Sequence, residues 1–227
     1  MEDPGVRDVV RDFYAHYYDR VFNSGGLVGW SYKSTHRQME QNVVMPPGAS
    51  ILEVGAGTGE HFPYVAGDFG RYVMVDLSEP PPRPSWEGDA RVSWVTGDIS
   101  TDLGFEVGFD RVISMCVFHH LAEPEAAMVN IKRWLKPGGV FTLFLPSDPG
   151  VLNRVNRRLF VKPKAEKLGF KDYELMAAQE HRNHYWSLNT LLLEHFRGYR
   201  IKRRYKPFGI PSGNLSSHSI WHITKPA

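Results

Sequence analysis

The stretch Ile51-Leu52-Glu53-Val54-Gly55-Ala56-Gly57-Thr58-Gly59 decides the fold of this chain. Its first four residues predict a short buried strand, and glycine then occupies every second position. Glycine lacks a Cβ atom, so the turn after the strand can bring bare backbone N–H groups against a nucleotide-shaped ligand. The spacing does not fit G-x-G-x-x-G, and no Gly-Lys-Ser/Thr follows for a Walker A phosphate loop. Glycines in such a turn can also serve close packing alone, so the acidic residues that follow decide between the two interpretations.

Acidic residues end the next two predicted strands. Residues 71–76 form a buried strand pattern that ends in Asp76, at the distance where a βαβ unit places an acid on a ribose diol. Residues 92–99 form a further strand pattern that reaches Asp98. Because ligands of open α/β sheets bind at the carboxyl edge of the strands, these acids favour a nucleotide site over simple packing.

Five segments over residues 50–146 occur in the order typical of one enzyme family. They are the E-x-G-x-G-x-G turn, the strands ending in Asp76 and Asp98, the strand pattern of residues 109–121, and Leu135-Lys136-Pro137-Gly138-Gly139. Together they resemble the motifs of class I S-adenosylmethionine-dependent methyltransferases. The resemblance implies a doubly wound, Rossmann-like α/β fold with a seven-stranded sheet, in which strand 7 runs antiparallel between strands 5 and 6.

The same resemblance implies the cofactor and its contacts. The cofactor is S-adenosyl-L-methionine, and the product is S-adenosyl-L-homocysteine. Asp76 is then expected on the ribose, and Asp98 beside the adenine amino group. The full set of cofactor-binding residues that the resemblance implies is Glu53, Gly55, Ala56, Gly57, Asp76, Leu77, Asp98, Ile99 and Met115.

The chain departs from the family pattern after Asp76, where a run of prolines occupies residues 80–84. Proline cannot continue a helix interior, because it lacks the backbone N–H and its ring clashes with the preceding turn. We therefore expect a loop in place of a long helix in the second crossover.

The rest of the sequence fits one domain of 227 residues. We expect a helical lid over residues 1–47, a cofactor-binding half over 48–146, and an acceptor-side insertion with a final helix and strand hairpin over 147–227. Apolar spacing predicts lid helices at 6–23 and 34–44, and the final helix at 188–195. Strands six and seven are predicted at 199–205 and 219–224.

His119 and His120 are the predicted catalytic residues. They follow the fourth predicted strand, and residues at that position reach the ligand-binding edge of the sheet. Histidine can accept a proton near neutral pH. The alternative is that one of the two fills a structural His-His-Leu position and bonds to the backbone.

A second polar segment, Glu180-His181-Arg182-Asn183-His184-Tyr185-Trp186, precedes the final helix, in the region that walls the acceptor pocket of the family. Its residues can bind the acceptor, or simply cap and pack the helix. His181 and His184 have H-x-x-H spacing, but no cysteine or third ligand accompanies them, so we predict no metal. The predicted substrate-binding residues, which include aromatic residues of the lid, are Tyr18, Trp30, Tyr32, His181, Arg182, His184 and Tyr185.

Composition narrows the partners. A net charge of +2 gives little support to a nucleic-acid or membrane partner, and no apolar run is long enough to span a bilayer. Cys116 is the only cysteine, which fits a reducing, cytoplasmic location. The basic stretch 154–171 fits a solvated helix face, a site for an acidic substrate, or a contact with RNA or membrane phosphates. Its apolar residues also suggest an amphipathic helix over the acceptor opening.

These observations predict a methyltransferase that acts on an oxygen or nitrogen atom of a small acceptor. A metabolite, sugar derivative or natural-product intermediate fits, and arginines turned inward from the basic stretch would make the acceptor anionic. DNA is not expected, because an Asn-Pro-Pro-Tyr type motif is missing from the sequence. Methylation of RNA or protein is the alternative enzyme activity. A non-catalytic, cofactor-binding scaffold is the alternative of another class.

Overall fold

The computed structural model describes residues 4–23, 25–65, 67–79 and 86–227. The predicted loop at residues 80–84 lies outside this part of the chain. The strands are β1 Ala49–Val54, β2 Phe69–Asp76, β3 Val92–Thr96, β4 Phe109–Met115, β5 Leu135–Pro146, β6 Arg200–Lys206 and β7 His218–Thr224. The α-helices are α1 Pro4–His16, α2 Gly26–Met39, α3 Pro124–Trp134, α4 Val151–Asn156, α5 Lys162–Lys167, α6 Tyr173–Glu180 and α7 Tyr185–His195.

The strands form one seven-stranded sheet in the order β3-β2-β1-β4-β5-β7-β6. The first five strands, β1 to β5, all run parallel to one another, and β7 pairs antiparallel with both β5 and β6. This confirms the predicted fold class. Val54 lies opposite Val75 and Ser114 in the register, and Asp76 lies opposite Thr96. The carboxyl ends of β1, β2, β3 and β4 therefore meet at one edge of the sheet.

Buried side chains cover both faces of the sheet. On one face, Trp134 of α3 and Leu188 of α7 pack in one cluster with Trp221 of β7, and all three are fully buried. On the other face, Met39 at the end of α2 packs with Tyr72 and Met74 of β2. Because helices shield the sheet from water on both faces, the central strands read as nearly continuous apolar runs.

A third cluster joins the N-terminal helices to the segment after β5. Phe13 of α1 packs against Phe170 and Tyr173, with ring centroids 5.0 and 5.9 Å away. Val161 and Met176 are buried in the same cluster. The sequence predicted a lid from the N-terminal helices and, separately, a helix of the insertion over the acceptor opening. In the structure, the insertion after β5 forms this layer together with α1.

The bounds of the lid helices differ from those predicted. The predicted helix 6–23 ends at His16 and is followed by a π-helical turn at Asp19–Asn23. The predicted helix 34–44 instead runs from Gly26 to Met39. The prediction failed there because Val28 and Tyr32 continue the buried stripe of His36 and Met39 at helical spacing, toward the N-terminus.

The basic insertion is helical from Val151 to Lys167, in three consecutive pieces that include a π-helical stretch at Arg157–Val161. Its apolar residues do not all face inward as the prediction required. Val161 is buried, whereas Val151, Val155 and Leu159 are 49%, 45% and 60% exposed. The apolar side chains of this helix therefore do not form one continuous buried stripe, and its position over the acceptor opening stays a prediction.

A buried ionic network ties the end of α2 to the centre of the sheet. Arg111 of β4 is fully buried and donates two hydrogen bonds, 2.7 and 2.8 Å long, to the two carboxylate oxygens of Glu40. His61 contacts the same carboxylate at 2.8 Å, and its Nδ1 lies 3.0 Å from Nδ1 of His36. Burial raises the pKa of Glu40, but the hydrogen bonds from His61 and Arg111 outweigh this and lower it to about 2. The carboxylate therefore stays charged inside the protein.

None of the helices in the described residues is long and apolar enough to cross a membrane.

We predict that Glu40→Gln lowers the free energy of unfolding by about 3–5 kcal/mol, because it leaves the Arg111 guanidinium buried without its charged partner. Urea unfolding at neutral pH measures the change. The control is Asp102→Asn, which breaks the exposed Arg133–Asp102 pair and should change the free energy of unfolding little, because water screens that pair. Glu40 has a lower pKa in the folded state than its ordinary 4.5, so the wild type should lose this stability as the pH falls from there toward about 2. Equal stability of the two variants would contradict the network's role.

Candidate active site

The turn after β1 takes a backbone conformation that requires glycine. Gly55, Gly57 and Gly59 have φ values of +67°, +61° and +80°, in the left-handed region that L side chains rarely adopt. A Cβ atom on Gly55 would also lie 2.1 Å from a methyl carbon of Val117, on the segment after β4. The turn therefore requires glycine for its backbone conformation and, at Gly55, for the close approach of the Val117 side chain.

The carboxylate of Asp76 holds this turn at the end of β2. One of its oxygens accepts the N–H of Gly57 at 2.8 Å, and the other accepts the N–H of Leu77 at 2.7 Å. Burial raises the pKa of Asp76, and the N–H groups of Gly57 and Leu77 oppose the shift. Each carboxylate oxygen has a second lone pair, so Asp76 retains the capacity to accept hydroxyl donors from a ligand.

The other predicted cofactor residues lie in or directly after the same four strands. Three of them are buried apolar residues: Ala56 lies in the turn, Ile99 in the loop after β3, and Met115 at the end of β4. Leu77 is 72% exposed. Asp98 is exposed, and its carboxylate accepts the N–H of Ser100 at 2.8 Å within its own loop.

Among the predicted cofactor-binding acids, Glu53 carries the carboxyl group that is buried from solvent. It is 2% exposed and accepts a hydrogen bond of 2.7 Å from the hydroxyl of Tyr72. Burial raises the pKa of Glu53 to about 8, although the Tyr72 hydrogen bond acts in the opposite direction. The group is therefore mostly neutral near about pH 7, and a cation beside it would favour its ionised form.

Three histidines meet on the acceptor side of the edge. His119 and His120 lie in the turn after β4, and His181 ends α6. The ring centroid of His119 lies 3.8 Å from that of His120 and 4.8 Å from that of His181, and the other two rings are 5.4 Å apart. We call this group the histidine cluster.

Asn183 fixes the position of the cluster. Its side-chain amide donates to the carbonyl oxygens of Phe118 and Leu121 at 3.0 and 2.6 Å, and its backbone N–H donates to the carbonyl of His119 at 3.0 Å. The turn that carries His119 and His120 is thereby tied to the connection between α6 and α7. The sequence contains Asn183 within the polar segment 180–186, but no local pattern reveals this role.

Charged groups surround the cluster. The Nδ1 atom of His181 is hydrogen-bonded to the Asp148 carboxylate. The guanidinium of Arg157 donates two hydrogen bonds, 2.8 and 3.1 Å long, to the same carboxylate. Burial raises the pKa of Asp148, but the hydrogen bond from His181 and the charge of Arg157 outweigh it and leave the pKa below its usual value. Sequence reasoning missed both Asp148 and Arg157 as site residues, since only the folded chain brings them beside His181.

The cluster continues into the lid through hydroxyl groups. Nδ1 of His120 lies 2.9 Å from the carbonyl oxygen of Glu180, whose carboxylate accepts the hydroxyl of Tyr14 at 3.2 Å. Tyr14 stacks on Tyr18, and the hydroxyl of Tyr18 lies 2.9 Å from that of Tyr32. Two of the predicted lid residues, Tyr18 and Tyr32, therefore belong to one polar aromatic wall that reaches the histidines.

The remaining predicted substrate residues lie apart from this wall. Trp30 is 67% exposed, and Arg182 and His184 are exposed as well. Tyr185 is 3% exposed and packs in the core of the sheet face covered by α7. His184 precedes α7 in an extended conformation, so His181 and His184 do not share a helix as the H-x-x-H spacing allowed.

Comparison with known proteins identifies the family of this chain. A family model for a methyltransferase domain matches residues 52–143. A demethylmenaquinone methyltransferase of Clavibacter sepedonicus is 31% identical over 173 residues, which cover 73% of this chain and 68% of that protein. The chain belongs to the class I S-adenosylmethionine-dependent methyltransferases. The predictions of the family, the enzyme class and the cofactor are thereby confirmed.

Two further similarities place this methyltransferase among a wide range of relatives. Its fold is similar to that of the 1,6-didemethyltoxoflavin-N1-methyltransferase of Burkholderia thailandensis, a structure with bound S-adenosylhomocysteine. The TM-score is 0.61 at 19% identity, and the match covers 100% of this chain and 92% of that chain. It is also 29% identical over 126 residues, or 50% of the chain, to a hybrid PKS-NRPS synthetase of Emericella nidulans. The chain spans only 3% to 5% of the length of that and three other fungal synthases.

We predict that the binding of S-adenosylhomocysteine at about pH 7 releases nearly one proton per protein molecule, from Glu53, because the cationic amino group of the ligand stabilises the ionised carboxylate. Calorimetric titration in buffers of different ionisation enthalpy measures the proton count. Glu53→Gln should bind more weakly and release no proton on this account. Equal proton release by wild type and variant would show that Glu53 does not face the amino group.

Proposed function

We propose that this methyltransferase acts on a small-molecule acceptor and transfers the methyl group to an oxygen or nitrogen atom. The supporting observation is the position of the histidine cluster, at the same sheet edge as the glycine turn and linked through Glu180 to the tyrosines of the lid. An acceptor held there would lie between the cofactor edge and the histidines. A metabolite, sugar derivative or natural-product intermediate fits this description.

The main task of the protein in this reaction is to align the acceptor with the methyl group of the cofactor. S-adenosylmethionine carries an activated methyl group, and its sulfonium leaves as a neutral thioether. The acceptor's lone pair must lie about 3 Å from the methyl carbon, in line with the breaking bond, with water held away. The acceptor atom forms the new bond to carbon as the carbon–sulfur bond breaks. An acceptor that carries a proton at working pH must also lose it, and we assign that step to the histidine cluster.

The charges near the cluster favour a neutral acceptor over an anionic one. Arg157 is the arginine of the basic insertion that turns inward, and the protein's own Asp148 carboxylate already matches it. Arg154 and Arg158 are exposed. We therefore leave the anionic acceptor out of the proposal.

Acceptor screening with ¹³C-methyl-labelled S-adenosylmethionine tests the proposal. The chemical shift of the labelled product distinguishes methyl groups on oxygen, nitrogen and carbon. Turnover of a small molecule, with little dependence on salt, is the expected result. Methylation of RNA that weakens steeply as salt rises would favour the alternative in which the basic insertion contacts phosphates.

We predict that His120→Ala lowers turnover of such an acceptor by about 100-fold or more, the scale of a positioned group that assists proton removal. The affinity for S-adenosylhomocysteine should change little, because His120 lies on the acceptor side of the edge. His195→Ala, in which a histidine hydrogen-bonded to Glu125 is removed, is the matched control. Undiminished turnover of His120→Ala would assign the cluster a structural role.

A further inference from the structure

The histidine cluster has the dimensions of a metal site. One ring nitrogen from each of His119, His120 and His181 lies within 4.8 Å of the other two. Nitrogen ligands of a tetrahedral Zn²⁺ ion lie about 2.0–2.1 Å from the metal, and therefore about 3.3 Å from one another. Small side-chain rotations close that difference, because His120 and His181 are only partly buried.

In two of these histidines, the hydrogen bonds made by Nδ1 leave Nε2 free to bind a metal ion. Nδ1 of His120 faces the carbonyl oxygen of Glu180 at 2.9 Å, and Nδ1 of His181 is bonded to the Asp148 carboxylate. Since these oxygens can only accept, we assign the proton of both rings to Nδ1, which leaves the lone pair on Nε2. The Arg157 guanidinium lies 3.2 Å from Nδ1 of His181, but its two shorter hydrogen bonds, 2.8 and 3.1 Å long, go to the Asp148 carboxylate. Histidines that bind metals in proteins show this arrangement, in which the second nitrogen donates to a carbonyl or carboxylate oxygen.

His119 supplies an independent observation. Its side chain is 5% exposed, and its buried Nδ1 atom has no hydrogen-bond partner among the described residues. A buried polar atom without a partner costs about 1–3 kcal/mol, so its retention calls for a ligand. The rings of His120 and His181 are the polar groups that lie against it.

The fixed charges around the cluster also suit a cation. Asp148 and Glu180 each bring a negative charge to the histidines, and Arg157 brings one positive charge, with its guanidinium 3.2 Å from Nδ1 of His181. The sum is one negative charge. Neutral imidazoles beside a net negative charge attract a divalent ion more than a monovalent one.

We propose that His119, His120 and His181 bind one Zn²⁺ ion, with a fourth position open to the acceptor. The predicted absence of a metal rested on the H-x-x-H pair of His181 and His184, whereas this site combines His181 with two residues about sixty positions earlier in the chain. Three imidazole ligands and an open position are typical of catalytic zinc. The site stands by itself, but its use in catalysis rests on the proposed function.

In that use, the fourth position would hold the oxygen of an acceptor hydroxyl group, and the three histidines would assist proton removal through the metal rather than accept the proton themselves. Coordination to Zn²⁺ lowers the pKa of a bound hydroxyl, so its proton passes to solvent water near neutral pH. The oxygen lone pair then forms the bond to the methyl carbon. The carbon–sulfur bond breaks at the same time, and S-adenosylhomocysteine leaves as a neutral thioether.

Metal analysis of the full chain without a purification tag tests the site. The protein is stripped with a chelator, dialysed against Zn²⁺ and analysed for bound metal, and Co²⁺ replaces Zn²⁺ to give the absorption bands of a tetrahedral site. We expect one ion per chain. His120→Ala and His181→Ala should each weaken binding more than Asp148→Asn, which removes only an outer partner and should cost about 10- to 100-fold.

The surface histidine His16, 69% exposed in its side chain, provides the matched control, and His16→Ala should bind Zn²⁺ as the wild type does. Wild-type protein that retains no Zn²⁺, or binding that survives unchanged in both His120→Ala and His181→Ala, would overturn the proposal. Calorimetry with S-adenosylhomocysteine on the stripped protein separates the two questions. If the ligand binds and Zn²⁺ does not, only the metal site is lost, whereas failure to bind the ligand contradicts the cofactor site itself.

Discussion

The hydrogen bond that Asp76, at the end of β2, accepts from Gly57 joins β2 to the turn after β1 at the carboxyl edge of the sheet. The backbone N–H of Gly57 reaches this carboxylate in a turn whose three glycines adopt left-handed conformations, and a side chain at Gly55 would collide with Val117. The segment after β4 that carries His119 and His120 is therefore fixed against the turn through Val117. The same packing against Gly55 therefore also sets the position of the histidine cluster.

The lid is attached to this edge by polar contacts at several points. Glu40, directly after α2, reaches Arg111 in the sheet and His61 in the segment after the glycine turn. Asn23 donates to Glu60, whose carboxylate also accepts the backbone N–H of Thr58 in the turn itself, at 3.1 Å. At the other end, Tyr14 of α1 bonds to Glu180 beside the histidine cluster. The N-terminal helices are thus attached both to the glycine turn and to the histidine cluster.

The sheet and its glycine turn could be predicted from the sequence because strands, turns and their terminal acids are local patterns. The carboxyl ends of parallel strands share an edge, so Glu53, Asp76, Asp98 and His119 could be assigned to that edge before the structure was known. The histidine cluster could not be assembled in this way. Its third member and the Asp148–Arg157 pair come from the insertion after β5, whose path depends on packing against α1. The bounds of α2 failed for a related reason, since its buried stripe faces a partner that the sequence does not reveal.

Titration of the protein with S-adenosylhomocysteine, beside Asp76→Asn, tests the central claim that the cofactor binds at the edge that Asp76 organises. The account predicts that wild type binds and that the variant loses about 1–3 kcal/mol of binding free energy, because ribose hydroxyls lose their charged acceptor. Asp102→Asn, altered at an exposed carboxylate, should bind as the wild type does. Unchanged affinity in a folded Asp76→Asn protein would place the nucleoside elsewhere and contradict the account.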